Sequence, residues 1–176
     1  MIQMLMSKNK LRKNLGFTLI ELLVVISIIG FLATASMVVL NSARVKARNV
    51  RRNSDITQLA KAFRLAADAS GGILPSALNP GYCVSSSCYG NFSTILADAT
   101  VDAAVAPFIK EKPDDPAYSR SGNGGYIYIN PLNGGKGVGA YLLWLLELVV
   151  VTPEVCGPGW LWYTGADFLS CRMKID

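Results

Sequence analysis

Apolar and polar positions divide this chain into stretches of different character. Phe17 to Leu40 is 24 residues of nearly unbroken apolar sequence with a single charge, Glu21. About 20 apolar residues suffice for a helix to cross a bilayer, so this stretch predicts a helix of membrane length. Beyond Leu40 the apolar positions thin to Ile56, Leu59, Ala60, Phe63, Ala66 and Ala67. Their three- and four-residue steps make one face of an amphipathic helix. No proline lies between Phe17 and Leu74, and Gly71-Gly72 followed by Pro75 supplies a stop signal. One helix from Phe17 to Ser70 is predicted, apolar all round in its first half and two-faced in its second.

The pattern changes after residue 70. Residues 71–125 are rich in turn chemistry: Gly71, Gly72, Pro75, Pro80 and Gly81, then Lys112-Pro113-Asp114-Asp115-Pro116 and Ser121-Gly122-Asn123-Gly124-Gly125. A short helix is predicted between Phe92 and Ala106, where Ile95, Leu96 and several alanines fall. Tyr126 to Ile129 reads as a strand, being β-branched and aromatic. Asn133-Gly134-Gly135 reads as a turn. Gly139 to Val151 is apolar except for Glu147, and periodicity leaves strand and buried helix open. Trp160 to Tyr163 and Phe168 to Met173 are further strand candidates. Trp144, Trp160 and Trp162 are expected in the core or on a sheet face rather than as ligand stackers.

Charge follows the same divisions. The first 16 residues carry Lys8, Lys10, Arg12 and Lys13 and no acid. Residues 41–64 carry Arg44, Lys46, Arg48, Arg51, Arg52, Lys61 and Arg64 against Asp55 alone, and the remainder has six basic and ten acidic residues. The order is a basic leader, an apolar span, a basic stalk and a mildly acidic head. The stalk reads as a solvated helix face; a basic stripe also gives anionic lipid or nucleic acid a motive to bind, without a motif. Positive residues flank both ends of the span, so the positive-inside rule assigns no orientation.

The chain has no histidine, which removes the commonest general base and metal ligand. No phosphate loop, nucleophile–base pair or repeat stands out, so an enzyme is not expected, and no cofactor is. Four cysteines, Cys83, Cys88, Cys156 and Cys171, follow the apolar span. An even count beyond a targeting segment points to disulfides in an oxidising compartment. Three pairings exist, and the local one, Cys83–Cys88 with Cys156–Cys171, is preferred. Asn91-Phe92-Ser93 fits a glycosylation triplet, a pattern common by chance.

A basic region before an apolar run also describes a secretory signal peptide, with Leu22 to Leu32 as its core and Ala33-Thr34-Ala35 as a cleavage site. A plain signal anchor is a second reading. Neither accounts for Glu21, because a carboxylate inside an apolar span is costly and usually paired.

The run Lys13-Asn14-Leu15-Gly16-Phe17-Thr18-Leu19-Ile20-Glu21-Leu22-Leu23-Val24-Val25-Ile26 resembles the processing motif of type IV pilins and type II secretion pseudopilins. The resemblance covers roughly residues 12–40. It implies cleavage between Gly16 and Phe17 by a membrane peptidase, the prepilin peptidase, and N-methylation of Phe17. Glu21 then becomes the fifth residue of the mature chain and meets the Phe17 amine of a neighbouring subunit, setting axial register. A cationic amine and a carboxylate, each costly to bury alone, offset one another there. Many family members carry a proline in this helix; here Gly30 is the one obvious weak point, and Ala33, Thr34, Ala35 and Ser36 allow close helix packing. Met1, Met4 and Met6 are alternative starts.

The resemblance implies an α+β pilin fold: a leader 1–16, a transmembrane or filament-core helix 17–40, an amphipathic continuation 41–70, and an antiparallel-sheet head 71–176. The implied function is a structural subunit of a pilus-like filament serving adhesion, motility or DNA uptake. Its partners would be further copies of the chain, the prepilin peptidase and the pilus or type II secretion assembly machinery. It would lie in the inner membrane as a single-pass precursor and then in an extracytoplasmic filament. A pseudopilin, a minor pilin and a signal-anchored binding domain are the alternatives. Some pseudopilins bind calcium near Asp114-Asp115, but two acids between prolines are better read as a solvated turn, and no metal is expected.

Overall fold

The computed structural model describes residues 16–76, 81–86, 88–90, 93–116, 124–129, 139–148 and 154–176. The leader before Gly16, the turn at Asn133 and the Asn91-Phe92 part of the glycosylation triplet lie outside the described residues. The chain divides into two units, Met1–Asn41 and Ser42–Asp176.

Helix α1 spans Leu19–Ala69, so the predicted helix is present to within two residues at its start and one at its end. It ends for a local reason. Gly71 and Gly72 take φ of 73° and 87°, a region L-residues avoid. The Gly72 N–H then donates to the Ala67 carbonyl at 2.8 Å, and the Gly71 N–H to that of Asp68 at 3.3 Å. This paired closure is a Schellman motif, which satisfies carbonyls the helix leaves open.

Within the 42–176 unit the elements after α1 run in order. They are β1 (Tyr82–Cys83), β2 (Tyr89–Gly90), β3 (Ser93–Thr94), α2 (Ala99–Val105) with a 3-10 turn Ala106–Phe108, β4 (Tyr126–Ile129), β5 (Tyr141–Glu147), β6 (Trp160–Thr164) and β7 (Phe168–Lys174). Five strands form one antiparallel sheet in the order β1-β4-β5-β7-β6, and β2 pairs with β3 separately. The result is a long amino-terminal helix whose later turns pack on a small antiparallel sheet, a pilin-like α+β architecture.

The short helix begins later than the sequence predicts. Ser93–Thr94 is strand, paired with Tyr89–Gly90. The helix starts only after Asp98, whose carboxylate accepts the N–H groups of Thr100 at 2.8 Å and Val101 at 3.1 Å. Asp98 is thus an N-cap, and a cap fixes the start of a helix more sharply than alanine content does. Gly139–Val151, left open in the sequence, contains a strand. β5 alternates between buried and half-buried positions along its length.

The core lies between α1 and the inner sheet face. Ile56, Leu59, Ala60, Phe63 and Ala66 of α1 meet Tyr126, Tyr128, Leu142, Trp144, Leu146 and Leu169. Phe63 stacks on Tyr128 with ring centroids 4.3 Å apart. Trp144 is fully buried. Trp160 and Trp162 instead lie half-exposed on β6. The cysteines pair locally, Cys83 with Cys88 and Cys156 with Cys171.

Candidate functional site

The start of α1 is built by three consecutive residues and one carboxylate. Gly16 to Thr18 precede the helix, and Phe17 is 79% exposed. Thr18 caps it. The Thr18 hydroxyl oxygen accepts the Glu21 N–H at 3.3 Å, while Glu21 Oε2 accepts the Thr18 N–H at 2.9 Å and the Thr18 hydroxyl at 2.7 Å. The first helical bond, from Leu22 N–H to the Thr18 carbonyl, is 3.3 Å. Thr18-Leu19-Ile20-Glu21 is therefore a capping box, in which two otherwise open N–H groups are satisfied reciprocally. The carboxylate also sits in the first turn, where the helix dipole favours negative charge.

This geometry places the Gly16–Phe17 peptide bond in accessible, non-helical chain immediately before the cap. Among the described residues nothing comes within 4 Å of where a side chain on Gly16 would begin. The predicted cleavage position, the predicted new amino terminus and Glu21 thus fall within six consecutive residues. Thr18 joins the site through the structure, as the residue that caps the helix. The Thr-x-x-Glu spacing just before an apolar run was its signal.

From Leu19 to Leu40 the described side chains are exposed throughout, including Leu22, Ile26, Ile29, Phe31 and Leu40. By length and composition this part of α1 is able to cross a membrane. Ser27, Thr34 and Ser36 donate their hydroxyls to carbonyls three or four residues earlier. Each thereby satisfies its own polar group in an otherwise apolar stretch.

The basic stalk departs from the solvated face expected of it. Arg48 Nε donates to Glu147 Oε1 at 2.6 Å. Arg52 reaches Glu147 at 3.0 Å and Asp115 at 2.8 Å. Asn49 binds the end of β5 as a strand would. Its side-chain amide donates to the Glu147 carbonyl at 3.0 Å, and its oxygen accepts the Glu147 N–H at 3.1 Å. Arg48 holds the Glu147 carboxyl below the ordinary range, with Arg52 contributing. One turn on, the Asp55 carboxylate accepts the Tyr126 hydroxyl at 2.7 Å, and burial raises the pKa of both groups. Arg44, Lys46, Arg51, Lys61 and Arg64 remain exposed.

The same network corrects the reading of Asp114-Asp115. Asp114 is exposed, but Asp115 is not part of a solvated turn: it also accepts the Gly125 N–H at 3.0 Å. Its charge is spent on Arg52. Among the described residues no group of three or more acidic or cysteine side chains is placed to hold a metal ion.

Residues 11–37 match the family model of the prokaryotic N-terminal methylation motif, the hallmark of the prepilin-type signal of type IV pilins and pseudopilins. The match takes in Gly16, Phe17, Thr18 and Glu21 and ends inside α1. No curated protein and no solved structure matches the chain.

Proposed function

We propose that this chain is a structural subunit of a type IV pilus-like filament, made as a single-pass membrane precursor and polymerised through the first half of α1. The observation that carries this reading is the methylation motif set on an accessible Gly16–Phe17 bond, with Glu21 four residues beyond Phe17, at the head of an exposed apolar helix. In this reading the prepilin peptidase cuts after Gly16 and Phe17 receives the methyl group. The helix then leaves lipid for the filament interior. Both surroundings are apolar, so the exposed Leu19–Leu40 surface stays out of water in each. Glu21 is the one acid in that stretch, and the cationic Phe17 amine of a neighbouring copy supplies its counter-charge. The disulfide-closed carboxy-terminal half of the sheet suits a head outside the cytoplasm.

Mass spectrometry of the purified chain tests the reading. A mature chain beginning at N-methylated Phe17 is expected. An uncut chain, or one cut after Ala35, overturns it. Electron microscopy of material sheared from cells then separates an abundant pilin from a sparse minor pilin or a periplasmic pseudopilin.

A further inference from the structure

Arg172 is a buried cation without a counter-charge. It stands in β7 between Cys171 and Met173, which both pack toward the core, so strand alternation turns its side chain to the other face of the sheet. Its cross-strand neighbours there are Leu143 of β5 and Trp160 of β6. The residue is only 8% exposed. Its Nε is buried with no hydrogen-bond partner, and among the described residues no carboxylate answers its charge. Buried charges are ordinarily paired. Arg52 keeps that rule through Asp115 and Glu147, and Lys174, the next cation along β7, has Asp176 at 3.6 Å. Arg172 has rings alone: its guanidinium lies 3.8 Å from the Trp162 ring and 5.1 Å from that of Tyr141. Such contacts offset part of the cost of burial, and burial still lowers the Arg172 pKa from its ordinary value, against the pull of Tyr141.

A β-bulge builds the surroundings of this cation. Leu161 faces Cys171 and Tyr163 faces Ser170, so Trp162 is the extra residue of β6. A bulge re-aims a side chain, and this one lays an indole on the guanidinium. Trp162 stands outside the core, so its ring can tilt without disturbing the interior. Trp160, opposite Arg172, meets Tyr141 edge-on at 6.2 Å. Trp160 and Trp162 are 43% and 47% exposed. The unanswered charge is thus bordered by two indoles, each with about half its surface open to solvent.

Charge and shape narrow what fits. One unpaired guanidinium takes one negative charge, and its planar fork matches a carboxylate. A polyanion would bring excess charge to a region with ten acidic residues against six basic from residue 65 on. An acyl chain would stay wet, because the indoles form an open border rather than an enclosure. A sugar ring suits both halves of the site: its polarised C–H face packs on the negative face of an indole, and its hydroxyls remain in water. We propose that Arg172, flanked by Trp160 and Trp162, binds the carboxylate of an acidic sugar unit, a uronic acid being the simplest, whose ring lies on an exposed indole. The site lies wholly within the 42–176 unit and stands independently of the filament reading.

Tryptophan fluorescence of the full-length chain tests this, in a detergent without a sugar headgroup and at fixed ionic strength. The probes are trigalacturonate, the neutral galactotriose and triglutamate. A saturable change is expected with trigalacturonate, and binding at least about tenfold weaker with each of the others. Arg172→Met removes the charge and keeps an apolar stem. Because it relieves an unpaired buried charge, it is expected to melt no lower than the parent while losing at least about tenfold in affinity for trigalacturonate. Trp160→Ala leaves the cation in place and is expected to weaken trigalacturonate about tenfold as well. No saturable change, equal binding of galactotriose, or tighter binding of triglutamate overturns the proposal. Unaltered affinity in Arg172→Met overturns it too; should that variant not fold, unaltered affinity in Trp160→Ala does so.

Discussion

Arg52 and Asp115 meet at 2.8 Å with side chains only 3% and 4% exposed. The pair ties α1 to the segment before β4. Removing one member of a buried pair costs about 3–5 kcal/mol, because the other is stranded. The two members are unequal, since Arg52 also holds Glu147 and keeps a counter-charge when Asp115 is lost. Arg52→Ala is therefore expected to destabilise more than Asp115→Ala. Urea unfolding of the detergent-solubilised chain checks the order, with exposed Glu111→Ala expected within about 0.5 kcal/mol of the parent.

Acid is expected to weaken this network through Glu147. Its folded-state pKa lies below the ordinary value of 4.5, first because of the Arg48 hydrogen bond. A depressed carboxylate contributes stability that is fully present above its unfolded pKa and is lost as pH falls through the folded one. Asp55 has the opposite sign: burial raises it above 3.8, so protonation relieves a penalty. Melting temperature against pH is expected to fall below about pH 4.5. Glu147→Gln flattens that fall and Asp55→Asn steepens it. An unchanged profile for Glu147→Gln would show that its carboxylate is not what acid acts on.

The helix start separates two roles of Glu21. Glutamine also serves at the third position of a capping box, so Glu21→Gln is expected to keep the helix start while losing the charge. Thr18→Ala keeps the charge and loses the cap, at about 0.5–2 kcal/mol. If charge governs assembly, Glu21→Gln and Glu21→Leu both reduce filament yield with cleavage after Gly16 intact, and Thr18→Ala affects yield less. Normal yield from Glu21→Gln would transfer the role to the cap.

The Cys156–Cys171 bond closes a loop with a sequence separation of 15, for which chain entropy gives about 3 kcal/mol. The double variant Cys156→Ser, Cys171→Ser is expected to lose about 2–4 kcal/mol. Hydrogen exchange is expected to rise first at β6, the edge strand, while β4 and β5 stay protected. Uniform exchange across the sheet would count against a local effect.

The helix and its core face were legible because their period is visible: Ile56, Leu59, Ala60, Phe63 and Ala66 recur at three- and four-residue steps among Thr57, Gln58, Lys61 and Arg64. β5 hid its period because both faces are apolar. Leu142, Trp144 and Leu146 turn inward, while Leu143 and Leu145 between them are apolar too. The processing motif is readable from Gly16, Phe17 and Glu21, while the Thr18 cap beside it depends on side-chain geometry that spacing alone only suggests. The stalk misled for another reason. Arg48 and Arg52 look solvated in sequence, since their partners Glu147 and Asp115 stand 99 and 63 residues away.

Strand β6 sends little into the core; of its side chains, Leu161 packs against it. What keeps it in place is the backbone ladder to β7 and the covalent link between Cys171 on that neighbour and Cys156 just ahead of β6. The persistence of the strand is thereby uncoupled from the identity of its outward residues. Tyr163, 58% exposed, can be exchanged for other side chains at little cost to folding, while Trp162 and Trp160 also cover Arg172 and Tyr141, which makes this edge a region where the molecule's surface is free to diversify at chosen positions while its interior stays fixed.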